Sequence, residues 1–141
     1  MKKVSLFILF VMLCSIVVNA QTKVGDKIGG GVVISVSADG KKIVVAETKD
    51  QGVSTWDGAN ALITAESNHS ESGKQFNNWR LPTKEELALM YTLRSVIGGF
   101  SGNYWSVTVG KGQVATLDFS TGKINILPKT SNCKVRAVRN L

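Results

Sequence analysis

Asn78-Trp79-Arg80-Leu81-Pro82-Thr83-Lys84-Glu85-Glu86-Leu87 holds the sharpest boundary in the chain. Pro82 has a fixed φ and no N–H, so no helix continues into it from upstream. Thr83 is a side-chain N-cap, and Glu86 completes a Thr-x-x-Glu capping box. Leu87, Met90, Tyr91 and Arg94 then recur at helical spacing, with Leu89 and Leu93 widening the apolar face. Gly98-Gly99 ends the run. A helix is predicted over residues 83–96.

Upstream of this helix, residues 67–78 are rich in Ser, Asn and Gly and read as a loop. Residues 57–65 form a short predicted helix, with Asp57 as N-cap and Ala61, Leu62 and Ala65 on one face. Residues 32–37 and 42–48 are β-branched runs joined by Asp39-Gly40, a strong hairpin turn. Downstream, residues 104–109, 113–119, 123–127 and 134–139 are predicted strands, with a turn at Ser120-Thr121-Gly122-Lys123. Helices grouped between antiparallel strands predict an α+β fold rather than a parallel α/β sheet. The first and last strands are expected to pair and bring the termini together.

The first twenty residues predict export. Lys2 and Lys3 precede an apolar run over residues 4–18, and Val18-Asn19-Ala20 fits a signal-peptidase site. The run is short of the roughly 20 apolar residues a spanning helix needs. Leu13 before Cys14 does not fit a lipobox. The mature chain is expected to begin at Gln21 and to form one domain, residues 21–141. The net charge of +7 falls to +5 once Lys2 and Lys3 leave. Its basic residues are scattered, which argues against nucleic acid. Membrane contact is expected only through the cleaved leader. Cys133 is then the single thiol, without an internal disulfide partner, and is expected to be buried.

The stretch at residues 78–87 resembles the W-R-L-P-T-x-x-E-L signature of an exported bacterial family. This is the family of the C-terminal domain of the collagen-like Legionella adhesin and the Fibrobacter major paralogous domain. Ile97-Gly98-Gly99-Phe100 leading into Tyr104-Trp105-Ser106 is similar to its Y-W-S step. Phe119, Gly122 and Val135-Arg136-Ala137-Val138-Arg139 resemble its later marks. Val24-Gly25-Asp26, Gly30-Gly31-Val32-Val33 and Trp56 fit upstream. The resemblance spans nearly all of residues 21–141. It implies a C-type-lectin-like fold, related to the formylglycine-generating enzyme, with two helices on small twisted antiparallel sheets. It also implies a frame of Trp79, Arg80, Pro82, Thr83, Glu86, Trp105, Arg136 and Arg139. The chain departs from the family at Val107-Thr108-Val109, where further serines and an acidic residue are common, and at Leu117.

No catalytic constellation can be assembled from spacing. His69 has no acid, nucleophile or metal partner at a recognised interval. An enzyme would need His69 and Cys133 to converge in one pocket. Glu85 and Glu86 diverge by about 100° on a helix and make no acid/base dyad. The E-P-N, Q-P-D and W-N-D patterns of calcium-dependent lectins are absent, and neither metal nor cofactor is expected. Gly29-Gly30-Gly31 lacks phosphate-loop spacing and reads as a bulge or a close backbone approach.

Trp79 and Trp105 are expected in the core, with Arg80 and Arg136 on carboxylates or carbonyls. Ligand contact is expected on the exposed strand-and-loop surface at Tyr104, Thr108, Lys111, Gln113, Asn125, Lys129 and Asn132. The expected function is a non-catalytic, calcium-independent module binding a glycan or protein. The other reading is a structural or assembly component of a cell-envelope complex.

Overall fold

A computed structural model describes residues 20–141. The leader expected over residues 1–20, with Cys14, lies outside the described residues except for Ala20. No helix among the described residues is long and apolar enough to cross a membrane.

The capping box forms as the sequence requires. Thr83 Oγ1 accepts from Glu86 N at 3.1 Å, and Glu86 Oε1 accepts from Thr83 N at 2.8 Å. Helix α2 (Lys84–Thr92) starts there, but it stops earlier than predicted. Leu93 leaves helical geometry at φ −98° and ψ 12°, and a separate turn, α3 (Arg94–Ile97), follows. The Arg94 guanidinium folds back over the Tyr91 ring and donates to Tyr91 O at 2.8 Å, satisfying a carbonyl at the helix end. The other helix, α1 (Ala59–Thr64), begins two residues after the predicted Asp57 cap. Its N-cap is Gly58, with no side-chain bond, and a 3₁₀ turn (Glu66–Asn68) follows.

The strands form two sheets. One has the order β1 (Lys27–Ile28), β2 (Gly31–Val36), β3 (Ile43–Ala46) and β9 (Val138–Asn140), all antiparallel. The other runs β4 (Gly52–Ser54), β8 (Cys133–Val135), β5 (Asn103–Gly110), β6 (Gln113–Asp118) and β7 (Lys123–Pro128). In the second sheet only β5 and β8 run parallel, meeting at Tyr104 and Lys134. The mixed α+β class stands. The predicted last strand, residues 134–139, is divided: its first part joins one sheet and its end joins the other. Ala137 N at the crossing donates to Gln51 Oε1 rather than to a ladder carbonyl.

The strand pairing differs from expectation. β9 pairs with β3, placing Asn140 opposite Val44, and not with the first predicted strand. β1 already occupies that edge, with Lys27 opposite Val32. The Gly29-Gly30-Gly31 run makes this tight return possible. Gly29 and Gly30 have φ +60° and +84°, and a Cβ on Gly31 would lie 2.1 Å from Ala46 O. The close-approach reading of these glycines therefore holds.

The core lies in two clusters. Val32, Ile34, Leu87, Met90, Tyr104, Leu117 and Phe119 form one. Val33, Val45, Ile63, Trp79, Trp105, Cys133 and Val135 form the other. Successive strand residues point to opposite faces, so Tyr104 enters the first cluster and Trp105 the second. Trp105 Nε1 donates to Ser54 O at 2.8 Å, which satisfies its one polar atom inside the core.

Arg80 and Glu86 close the frame around α2 with a two-pronged ion pair at 2.7 and 2.8 Å. Burial pushes the Glu86 carboxyl up, but the Arg80 fork and the Thr83 bonds outweigh it and hold it below 4.5. The unfolded carboxyl therefore takes up its proton first as pH falls. The stabilisation is complete above about pH 4.5 and is lost as pH drops through the folded value. Glu86→Gln is expected to lose about 1 to 2 kcal/mol at neutral pH, since the pair is partly solvated. Urea melts of both proteins should converge in acid, and a gap constant down to pH 2 would contradict this.

Candidate functional site

The residues expected to bind ligand do not gather into one site. Tyr104 is fully buried, so its expected place on an exposed surface is corrected. Its hydroxyl donates to Asp50 Oδ2 at 3.1 Å and accepts from Ser101 N, and burial pushes its pKa up to about 12. Asn125 is half-buried and donates to Asn103 Oδ1 at 3.1 Å. Thr108 Oγ1 accepts from Lys84 N at the start of α2. Thr108 and Gln113 share a small groove of about 220 Å³ with Ile124 and Ile126. Lys111 stands at the β5–β6 hairpin tip with φ +48°. Lys129 lies over the Trp56 ring at 4.4 Å, and Asn132 is exposed before β8.

A larger cleft of about 840 Å³ opens beside Trp79. One wall is the end of α1 and the 3₁₀ turn, with Ile63, Thr64 and Glu66. The other is the segment 74–78 leading into the W-R-L-P-T stretch, and Arg139 of β9 also lines it. Gly73 O accepts from Trp79 Nε1 at 3.0 Å, which holds the loop to the indole. The Arg139 guanidinium lies 3.9 Å over the Phe76 ring. Its Nε donates to Asn78 Oδ1 at 2.7 Å and its Nη1 to Gly29 O at 2.6 Å.

His69 lines the same cleft but is buried, stacked on Trp79 at 5.3 Å. Glu47 supplies the carboxylate partner that spacing had not revealed. Its Oε2 is 2.9 Å from His69 Nδ1, while Nε2 donates to Ile63 O at 2.6 Å. Both ring nitrogens are thus engaged inside the protein. Cys133 is buried against β4 and does not line this cleft. Burial also pushes its thiol pKa up, away from the thiolate. Among the described residues, no three His, Cys, Asp or Glu side chains gather where they could hold a metal ion.

The family-like frame is placed as follows. Trp79 and Trp105 are buried, Arg80 pairs with Glu86, and Arg136 pairs with Asp50 at 2.7 Å. Pro82 O accepts from Val107 N at 2.8 Å and fixes the helix start to β5. The sequence does not single out Glu47 or Phe76, and Arg139 lines the cleft as well as belonging to the expected frame. Glu47 closes an apolar strand and Phe76 sits in a polar loop, so neither carries a motif.

No protein-family model matches the chain, and no curated protein matches it.

Proposed function

We propose that the chain is an exported, non-catalytic binding module with a C-type-lectin-like fold. It acts in the periplasm, at the cell surface or in the medium, and recognises a glycan or protein without calcium. The observation that carries this reading is the cleft beside Trp79. It is of small-ligand size, and its walls combine Ile63, Phe76 and Trp79 with amides and a guanidinium. The one histidine there is tied at both nitrogens, which suits binding rather than proton transfer. The resemblance of the W-R-L-P-T, Y-W-S and V-R-x-V-R stretches supports the fold, since these residues form the packed frame between the sheets.

Glycan and peptide arrays probed with the protein, with and without a chelator, test this. Saturable binding that survives chelation and weakens about tenfold or more in Asn77→Ala is expected. Silence on both arrays would reject the binding module.

The second reading, a structural or assembly component of a cell-envelope complex, draws on one observation. Ile124 and Ile126 on edge strand β7, with Val107 and Val109 of β5, are exposed. An open, apolar sheet edge favours association. A stable oligomer in sedimentation, lost in Ile126→Lys, would move the function there.

A further inference from the structure

We propose that the cleft at Arg139 is a carboxylate site that takes a small monocarboxylate. This deepens the binding function proposed above and rests on it. The three other arginines show what Arg139 lacks. Arg80 is neutralised by Glu86, and Arg136 by Asp50. Arg94 is exposed to solvent at the start of α3. Arg139 is only 8% exposed, yet among the described residues no carboxylate lies within ion-pair distance of it. A guanidinium held this deep without a counter-charge is costly, and the cost falls when an anion arrives.

The geometry leaves room for that anion. Nε and Nη1 are engaged by Asn78 and Gly29, which fix the plane of the group. Nη2 makes no hydrogen bond among the described residues, and Arg139 is one of the residues that line the cleft. A planar carboxylate matches the N–H groups that remain on this face. Asn77, exposed on the wall and without a hydrogen bond among the described residues, offers a second amide.

The charges around the cleft favour a ligand with one negative charge. Lys74 is already paired with Glu71 at 2.7 Å, and Glu66 stands on the opposite wall. His69 is joined to Glu47. Among the described residues lining the cleft, Arg139 is the cation without a carboxylate partner, so a phosphate dianion or a polyanionic chain is balanced less well than a monocarboxylate. Ile63, Phe76 and Trp79 supply apolar surface for the body of the ligand. That body can be a sugar ring or an aromatic ring, and the test distinguishes them.

The experiment is a ¹⁵N NMR titration of the full chain, following the Trp79 indole N–H and the Arg139 Nε–H. Glucuronate and phenylacetate are the carboxylate probes, with glucose and inorganic phosphate as controls. Saturable shifts from at least one carboxylate are expected, with glucose and phosphate at least tenfold weaker. Arg139→Gln should weaken the carboxylate about tenfold or more. Asn77→Asp, on an exposed wall where folding is not at stake, should also weaken it by placing a like charge across the cleft. Equal shifts from glucose, unchanged affinity in Asn77→Asp, or no shift from either carboxylate would overturn the proposal. Array binding that depends on Asn77 but ignores carboxylates would reject this ligand class alone. Silence in both experiments would reject the binding module with it.

Discussion

Arg136→Met is expected to remove about 3 to 5 kcal/mol of stability in a urea melt, the scale of breaking a buried ion pair. Domains of this size hold only about 5 to 15 kcal/mol in total, so the variant should sit near its unfolding midpoint at modest temperature. The side chain is 1% exposed and lies at the point where the last segment leaves one sheet for the other. Its Nε donates to Asp50 Oδ1 at 2.7 Å, and Nη1 reaches both Glu47 O and Gly98 O at 3.1 Å. Nη2 donates to Gly99 O, also at 3.1 Å. One guanidinium thus ties the end of β3, the loop before β4 and the glycines after α3. Methionine can fill the volume, but it leaves Asp50 and three carbonyls without their donor. Asp50→Asn in the same background should recover part of the loss, because the orphaned charge goes with it. Arg136→Lys should recover little, since an ammonium cannot reproduce the planar fork. A loss under about 1 kcal/mol would mean that water replaces these donors without penalty.

The contrast between Arg136 and Arg139 explains what a sequence can reveal of this fold. Both fall in one V-R-x-V-R run that reads as a single strand. Three residues apart, they serve different ends because the run crosses between sheets at Ala137. No local propensity marks that crossing. The capping box at Thr83 and Glu86 was legible because every partner lies within four residues. The Asp39-Gly40 turn was legible for the same reason, with Asp39 Oδ1 accepting from Lys41 N at 3.0 Å and Gly40 at φ +72°.

Exposure was harder to read. Alternation normally separates a buried face from a solvated one. Here β5 lies between two apolar clusters, so Tyr104 and Trp105 are both buried and the alternation carries no information. β1 and β4 were missed because two and three residues give no periodicity. The cleft was missed because its parts come from four distant segments: the end of α1, the 74–78 loop, the glycine turn through Gly29 O, and β9.

Glu47→Leu and His69→Leu should each lose about 3 to 5 kcal/mol, while the double variant loses clearly less than their sum. Ile63 O can only accept, so His69 Nε2 carries a proton. Glu47 Oε2 faces Nδ1 at 2.9 Å, so a second proton lies between that nitrogen and the carboxylate. The remaining carboxylate capacity is taken by Thr48 N at 2.7 Å and Ser70 N at 3.3 Å. Gly73 packs so closely that a Cβ there would lie 2.1 Å from Oε2. Removing either partner therefore strands the buried polar group of the other, whereas removing both takes that mutual penalty away. Chemical denaturation of the four proteins gives the coupling directly, and more than about 1 kcal/mol is expected. Such a coupling makes the pair a fixed wall of the cleft that Arg139 also lines. Small and additive losses would mean that water reaches the ring, leaving His69 available to move a proton and returning catalysis to consideration.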